Sequence, residues 1–356
     1  MKILVISLAG IGDTLFATPL IHELRLNYPK ATIEALVMYP GSRDLLEGNP
    51  HLDHVHQKNL LQTGRLQSLR FILGLRRGAY DLTINTLPQS KLEYRVIARL
   101  IGAPNRISHE YASGAWLNSW LVNRTLPQNY EIHCVENNLD LLRLTGGKRL
   151  QESHRYEIYL SPAEQEWADS YLREHQLGGR ALLGMHVGSG ATKNLAWRRW
   201  PLDQYAELLE RLGKSHPDAA VLLLGGPQEV DDHRQLLARA DHTRVVAPET
   251  RNLRQAAALL EKCRAFLSVD TSLMHLAAAM RVPHQVAIET PTWNKTVEPY
   301  NRPFTLVPNP AVAGRSLEFY RYDGKGIRGS QEEIIRCMRS VTVDAVHAAL
   351  SRALGS

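Results

Sequence analysis

The sequence predicts an α/β protein made of two doubly wound, Rossmann-like parallel-sheet domains. Short β-rich runs alternate with helical stretches along the chain, which is the pattern of parallel sheets. These runs are 33–38, 82–85, 181–187, 220–224, 244–246 and 266–269. With 356 residues and 44% apolar content, the chain is long enough to form two cores. A linker that runs into a helix start at 161–165 puts the domain boundary near residue 160.

The first candidate site follows the N-terminal strand. The first eight residues read as a buried strand, and Gly10, Gly12 and Asp13 form a glycine turn before an apolar helix at 14–26. A dinucleotide fingerprint would need glycine in place of Leu15, so NAD binding is disfavoured. A carboxylate on such a turn suits a general base that takes a proton from a hydroxyl. The alternative is that Asp13 only caps the helix.

A second group of polar residues lies where the apolar run 266–269 passes into an alanine-rich helix. Asp270, Thr271, Ser272 and His275 converge on the helix N-terminus, where unpaired N–H groups and the helix dipole favour a phosphate or diphosphate. Asp270 should face the crevice at the carboxyl end of the sheet. The alternative is an ordinary strand-to-helix cap with a structural histidine.

A glycine-rich loop at 188–194 is the third candidate. It contains Gly190, Thr192 and Lys193, which offer N–H groups, a hydroxyl and a positive charge to phosphate oxygens, although it is not a Walker loop. Trp200 and Pro201 after it read as the structural entry to a helix. After the run 220–224, Glu229 is a candidate for the ribose hydroxyls or, equally, an exposed residue at a helix start.

Together these motifs resemble glycosyltransferase family 9, which contains the ADP-heptose:lipopolysaccharide heptosyltransferases. The resemblance rests on the glycine turn with Asp13, the GSG-x-TK loop with W-P downstream, and D-T-S-x-x-H-L-A-A-A followed by V-P, and it extends from about Lys2 to Leu350. The chain departs from the family pattern at Ser272, where glycine is usual, and at 288–293.

The resemblance implies a GT-B fold with the active site in the cleft between an acceptor domain, 1–160, and a nucleotide-sugar domain, 161–330. A C-terminal helical segment, 331–356, would pack back toward the first domain. The implied reaction is inverting and metal-independent, and it uses a nucleotide sugar, most simply ADP-heptose, with no cofactor. Asp13 would be the catalytic base, and Asp270 would bind sugar hydroxyls. The residues implied for the phosphates are Thr192, Lys193, Thr271, Ser272 and His275.

Two other function classes remain open at this stage. A two-domain sugar-nucleotide epimerase would release no nucleoside diphosphate from its product. A non-catalytic saccharide-binding protein would not need a carboxylate such as Asp13 on a glycine turn.

Charge adds an expectation about the acceptor. The net charge is +6, which favours anionic partners. A basic, leucine-rich stretch at 58–77 contains Arg65, Arg70, Arg76 and Arg77, and it can meet an anionic glycolipid acceptor or the membrane surface. Alternatively it is a surface helix packed on its own sheet, and the acceptor then lies nearer Arg95, Arg99 and Arg106. No nucleic-acid motif accompanies the charge.

Cysteine and histidine usage predicts no disulfide framework and no metal site. Three distant cysteines lack CxxC spacing, and His51, His54 and His56 lack zinc-ligand spacing. No apolar run of about 18 residues is present. We expect a cytoplasmic protein, at the periphery of the inner face of the bacterial inner membrane.

Overall fold

A computed structural model describes residues 1–111, 120–190, 194–240, 244–321 and 326–355. The chain divides into two compact units, Met1–Tyr159 and Leu160–Ser356. Each unit contains a six-stranded parallel sheet covered by helices. The predicted fold class, two Rossmann-like α/β domains, is thereby confirmed.

The first unit has the strand order β3-β2-β1-β4-β5-β6, with every neighbouring pair parallel. Strand β1 is buried along five of its six residues, as expected for a central strand covered on both faces. The strands are β1 Lys2–Ser7, β2 Thr32–Val37, β3 His54–Gln57, β4 Leu82–Asn85, β5 Asn105–Glu110 and β6 Arg124–Pro127. The helices are α1 Thr18–Asn27, α2 Pro40–Leu46, α3 Arg65–Arg76, α4 Leu92–Ile101, α5 Cys134–Asp140 and α6 Leu142–Thr145.

The helix expected at 14–26 is two segments. A 3-10 helix covers Gly12–Ala17, and α1 begins at Thr18. Pro19 has no N–H to donate to the carbonyl of Leu15, so the α-helical ladder cannot pass continuously through this point. The Thr18 hydroxyl takes that place and donates to the Leu15 carbonyl at 2.8 Å.

The second unit repeats the same order as β12-β11-β10-β7-β8-β9, again with parallel neighbours. Its strands are β7 Ala181–Met185, β8 Ala219–Leu223, β9 Arg244–Val246, β10 Ala265–Ser268, β11 His284–Ile288 and β12 Phe304–Val307, with a short antiparallel pair β13 Tyr320–Arg321 and β14 Gly326–Ile327. Its helices are α7 Pro162–Glu174, α8 Leu202–Ser215, α9 Val230–Leu237, α10 Leu253–Glu261, α11 Ser272–Ala279, α12 Gln331–Arg339 and α13 Val343–Gly355. Short 3-10 helices occupy Leu195–Arg198, Lys295–Val297 and Ser316–Phe319.

The C-terminal helices belong to the second unit. Helix α13 packs against α8 and strands β10, β11 and β12, and its Val346 and Leu350 are fully buried in that core. Trp200, predicted to be structural, is 1% exposed and donates its indole N–H to the Val341 carbonyl at 2.9 Å. Contact between the segment 331–356 and the first domain stays a prediction.

Helix α3 does not bury all of its apolar side chains. Ile72 and Leu75 enter the core of the first unit. The exposed leucines of the helix are Leu66, Leu69 and Leu73, with exposed fractions of 61%, 39% and 41%, and Leu61, which precedes the helix, is 75% exposed. A stripe that faces the sheet therefore accounts for only part of this stretch.

In the described part of the chain, no helix combines the length and apolarity needed to cross a membrane.

Candidate active site

The candidate residues lie at the switch point of each sheet, where the strand order reverses. In the first unit this point lies between β1 and β4, and in the second it lies between β7 and β10. Loops that leave the carboxyl ends of such strands form the usual ligand crevice of an open α/β sheet. The glycine turn follows β1, the 188–194 loop follows β7, and Asp270 follows β10.

In the first unit, Asp13 lies inside the 3-10 helix and is half-buried. It is not the N-cap, which is Ile11. The Gly10 N–H donates to Asp13 Oδ2 at 2.7 Å. A Cβ at residue 10 would lie 2.9 Å from the same oxygen, which real side chains do not tolerate. Gly10 therefore permits this position of the carboxylate.

Two buried amides hold the loops around Asp13. Gln89 accepts the Leu8 N–H at 3.1 Å and donates to the Ile6 carbonyl at 2.5 Å. Asn138 donates to the Phe16 carbonyl at 3.1 Å. Both amides are 0% exposed. Neither residue could be predicted from the sequence, because an isolated Gln or Asn carries no spacing signal.

Two tyrosines share the electrostatic environment of Asp13. Burial first, and then the Asp13 charge, raise the pKa of Tyr39. Burial, followed by Tyr39 and Asp13, raises the pKa of Tyr94 to about 12. Both phenols therefore stay protonated at neutral pH and can donate hydrogen bonds near the carboxylate.

In the second unit, Arg198 ties the loop after β7 to the loop after β10. Its guanidinium donates to Ser189 Oγ at 2.9 Å, to Asp270 Oδ2 at 3.0 Å and to the Asp270 carbonyl at 2.7 Å. It also donates to Thr292 Oγ1 at 2.7 Å. The Arg198 side chain is only 9% exposed. This role was not predicted, although the sequence carries a usable signal, an arginine pair between two tryptophans directly after a glycine-rich loop.

The residues predicted at the helix N-terminus lie around the start of α11. Thr271 is the N-cap position of α11, and Ser272 is its first residue. The buried Thr271 Oγ1 has no hydrogen-bond partner within the described residues and makes no capping bond. His275 is buried, and its Nε2 lies 4.0 Å from Asp270 Oδ1. Asp270 thus stands between a guanidinium and an imidazole.

Glu229 is a buried residue at the start of α9, with 5% exposure, and not an exposed one. Its carboxylate accepts from the Gly226 N–H at 2.9 Å and from Arg199 at 3.0 Å. A side chain at Gly188 would clash with this carboxylate, so Glu229 borders the glycine-rich loop. Gly190 is exposed in that loop. Thr192 and Lys193 lie outside the described residues.

The arginines considered for the acceptor fall into two groups. Arg65 and Arg70 are exposed on α3. Arg95 is 1% exposed and its guanidinium lies 4.8 Å from the centre of the Tyr111 ring. Arg106 donates to the Ala103 and Leu121 carbonyls, and Arg99 lies over Trp120 at 5.3 Å. The α3 arginines are therefore the more accessible group.

Two Rossmann-like units with polar loops at their switch points match the architecture of known glycosyltransferases. A solved glycosyltransferase of family 9 from Veillonella parvula covers 99% of this chain and 97% of its own, at 19% identity and a TM-score of 0.78. The E. coli ADP-heptose lps heptosyltransferase II covers 99% of this chain and 98% of its own, at 21% identity and a TM-score of 0.72. These two likenesses show the fold.

The family model described as glycosyltransferase family 9 (heptosyltransferase) matches residues 68–318, and the chain belongs to that family. The lipopolysaccharide heptosyltransferase 3 of Escherichia coli K12 is 26% identical over 284 residues, which are 76% of this chain and 78% of the relative. The chain is thus a glycosyltransferase, as the motifs indicated.

Proposed function

We propose that this protein transfers a heptose from ADP-heptose to a hydroxyl of a lipopolysaccharide-core-like acceptor, with inversion at the anomeric carbon and without a catalytic metal. The proposal rests on family membership and on relatives named for heptose transfer. The single observation that carries the chemistry is the Asp13 carboxylate, held by the Gly10 N–H at the switch point of the first sheet.

The proposed reaction is a single displacement. Asp13 takes the proton of the acceptor hydroxyl while that oxygen attacks the anomeric carbon from the face opposite the leaving group. The bond from the anomeric carbon to the diphosphate oxygen breaks, and ADP leaves. The protonated Tyr39 and Tyr94 near Asp13 can hydrogen-bond the acceptor and orient it.

The donor half of the proposal places the diphosphate at the N-terminus of α11. The Thr271 hydroxyl is available to donate to a phosphate oxygen, and the first N–H groups of α11 add the helix dipole. We assign Gly190, Thr192, Ser272 and His275 to the same phosphates, and Lys193 to the charge that develops on leaving ADP. Asp270 would bind sugar hydroxyls through an orientation that Arg198 fixes.

Glu229 is proposed to accept hydrogen bonds from the ribose. Both of its oxygens already accept a hydrogen bond, from Gly226 and Arg199. Each carboxylate oxygen has a second acceptor position, so ribose hydroxyls can still donate to it.

We place the acceptor, an anionic glycolipid, against α3. Arg65 and Arg70 are exposed beside Leu66, Leu69 and Leu73. Between residues 54 and 80 the sequence contains no Asp or Glu. A basic surface with exposed leucines suits phosphorylated sugars at a bilayer. We therefore propose peripheral contact with the inner face of the bacterial inner membrane.

The decisive experiment supplies ADP-heptose and a heptose-deficient lipopolysaccharide core. We expect ADP release in a one-to-one ratio with glycosylated acceptor, and opposite anomeric configurations of donor and product by NMR. Matched reactions with UDP-glucose control for donor choice. Conversion of the sugar nucleotide without ADP release would identify an epimerase. Binding with no turnover of any donor would identify a saccharide-binding protein.

A further inference from the structure

Two histidines and a glutamate meet in the first unit, outside the glycine turn. His22 lies on α1, His51 precedes β3, and Glu157 lies in the last segment of the unit. One possible ligand atom from each lies within 4.8 Å of the others. His22 Nδ1 is 2.7 Å from Glu157 Oε1, and His51 Nε2 is 3.7 Å from Glu157 Oε2. Their side chains are 19%, 15% and 7% exposed, in that order.

The neighbours of this cluster add oxygen atoms to it. Tyr159 OH lies 2.9 Å from His51 Nε2 and donates to Glu157 Oε2 at 2.8 Å. Gln151 Nε2 lies 2.9 Å from His22 Nδ1. The other end of that amide, Gln151 Oε1, is buried without a hydrogen-bond partner within the described residues. Rotating the Gln151 amide by half a turn would bring its unsatisfied oxygen to the His22 imidazole, within reach of an ion held by that ring.

We propose that His22, His51 and Glu157 bind a zinc ion, with the Gln151 or Tyr159 oxygen or a water in the fourth position. Two imidazoles and a carboxylate are a ligand set that suits Zn²⁺. Zinc bonds of about 2.0–2.2 Å place tetrahedral ligand atoms roughly 3.3–3.5 Å apart. The 2.7–3.7 Å separations between the carboxylate and the two imidazoles bracket this value.

Binding requires one side-chain adjustment. The His22 and His51 rings stack with centroids 3.7 Å apart and planes at 15°. The nitrogen lone pairs of stacked rings lie in nearly parallel planes, so one imidazole must rotate about its Cβ–Cγ bond to direct its lone pair at the same ion. Both rings are partly exposed, and such a torsion is broad and soft.

The expected consequence is structural. The ion would join α1, the segment before β3 and the final segment of the unit, which are up to 135 residues apart in sequence. None of these residues belongs to the proposed donor or acceptor machinery. Zinc should therefore raise thermal stability and leave the proposed metal-free displacement as it is.

The test uses the full chain after chelation and dialysis. Calorimetric titration with Zn²⁺ should show one equivalent bound, and Co²⁺ should give the visible absorption of a tetrahedral site. The melting temperature should rise with zinc. His51→Ala and His22→Ala should each weaken zinc binding at least about 100-fold, because loss of a ligand exceeds the 10- to 100-fold typical of a supporting residue.

The matched control is His54→Ala, which removes an exposed histidine of the same region that lies outside the cluster. It should bind zinc like the wild type. Circular dichroism without metal establishes that each variant is folded. If Glu157→Gln unfolds because its hydrogen bonds are lost, the two histidine variants still decide the question. The absence of stoichiometric binding, or equal binding by His51→Ala and His54→Ala, would overturn the proposal.

Discussion

The two switch points share one strand order but are held together by different chemistry. In the first unit, the neutral amides of Gln89 and Asn138 satisfy main-chain groups around the Asp13 turn. In the second unit, the Arg198 guanidinium joins Ser189 to Asp270, and Arg199 binds Glu229. The supporting side chains of the first unit are therefore uncharged, whereas those of the second unit pair the Asp270 and Glu229 carboxylates with arginines.

The difference matches the chemistry proposed for each unit. A general base must accept a proton, and a scaffold of neutral amides does not compete for it with positive charge. A diphosphate site must not contain an uncompensated carboxylate, because the like charges repel. Arg198 and Arg199 neutralise Asp270 and Glu229 while leaving their oxygens fixed in place. Substitutions in the two units should therefore separate turnover from nucleotide binding.

The largest expected effect is in the first unit. Asp13→Asn keeps the size of the side chain but removes the base, so turnover should fall by about 10²- to 10⁴-fold. ADP affinity should stay near the wild-type value. Steady-state kinetics and calorimetry measure the two quantities separately.

Asp81→Asn is the matched control, because Asp81 is an exposed carboxylate that accepts from the Lys2 N–H at the opposite end of β1. Turnover in this control should be unchanged. More than about a tenth of wild-type activity in Asp13→Asn would contradict the assignment of the base.

Lys193→Ala should give the next largest effect, in the second unit. Loss of one group that stabilises a developing anion raises the barrier by roughly 2.7–4 kcal/mol, or about 10²- to 10³-fold in turnover. Unlike Asp13→Asn, this variant should also weaken ADP binding. Lys214→Ala, on the exposed surface of α8, is the control. Normal ADP affinity in Lys193→Ala would remove the lysine from the diphosphate site.

Removal of divalent ions tests the same site from another direction. With EDTA present, and well below the melting temperature, the wild type should keep its activity. A strict requirement for an added divalent ion would end the metal-free mechanism and make Asp270 a candidate ligand.

Both sheets and part of each candidate site could be predicted from the sequence, because the two units repeat a strong periodic pattern. Alternating strand and helix signals led to both sheets, and polar residues at strand ends led to Asp13, Asp270 and Thr271. The predicted continuous helix at 14–26 was less accurate, because Pro19 separates a 3-10 segment from α1. The effect of a proline on its own helix is local, so the sequence alone is enough to predict it.

The scaffold of the site was harder to predict. Gln89, Asn138 and Arg198 act through contacts between residues up to 122 apart in sequence, and no local motif marks the two amides. Likewise, the sequence places His51 only beside His54 and His56. Its spatial partner Glu157 comes from a distant segment. Sequence patterns identify side chains that lie together on one turn. Clusters assembled from several distant segments can be recognised only in the tertiary structure.

Removing the Arg198 guanidinium should reduce both the stability of the protein and its affinity for ADP. Arg198→Met leaves the Asp270 carboxylate without its ion pair, which costs about 3 kcal/mol of unfolding free energy, near the lower end for a buried pair because Asp270 is 17% exposed. Urea denaturation measures this loss. The double variant Arg198→Met, Asp270→Leu should recover much of the stability but not the ADP affinity.

The corresponding change in the first unit is Gln89→Met. It leaves the Leu8 N–H without its acceptor, at about 1–3 kcal/mol, whereas the Ile6 carbonyl still accepts from the Thr86 N–H and hydroxyl. Turnover should fall while ADP affinity stays. If Gln89→Met lost ADP binding and Arg198→Met kept it, the nucleotide would be bound by the first unit and not, as proposed, by the second.

The smallest effect per residue is expected on α3. Charge reversal at Arg65 and Arg70 should raise the Michaelis constant for an anionic acceptor and leave ADP affinity unchanged. Each basic residue near an anionic surface contributes about 1 kcal/mol, so loss of the two positive charges alone should weaken vesicle binding by roughly 30-fold, and their reversal should weaken it further. The effect should shrink as salt is added, because the Debye length is about 10 Å at 0.1 M.

A control reverses Arg173 and Arg234, two exposed arginines of the second unit whose partners are surface carboxylates. It changes net charge by the same amount, so a general electrostatic effect would appear in both variants. Leu66→Ser with Leu69→Ser tests the apolar half of the surface, since insertion of these side chains into a bilayer should be less sensitive to salt than the arginine contacts. If acceptor kinetics and vesicle binding stay at the wild-type level in the α3 variants, these arginines are only solvated. The acceptor would then have to be sought nearer Arg99, because Arg95 is buried and Arg106 is bound to main-chain carbonyls.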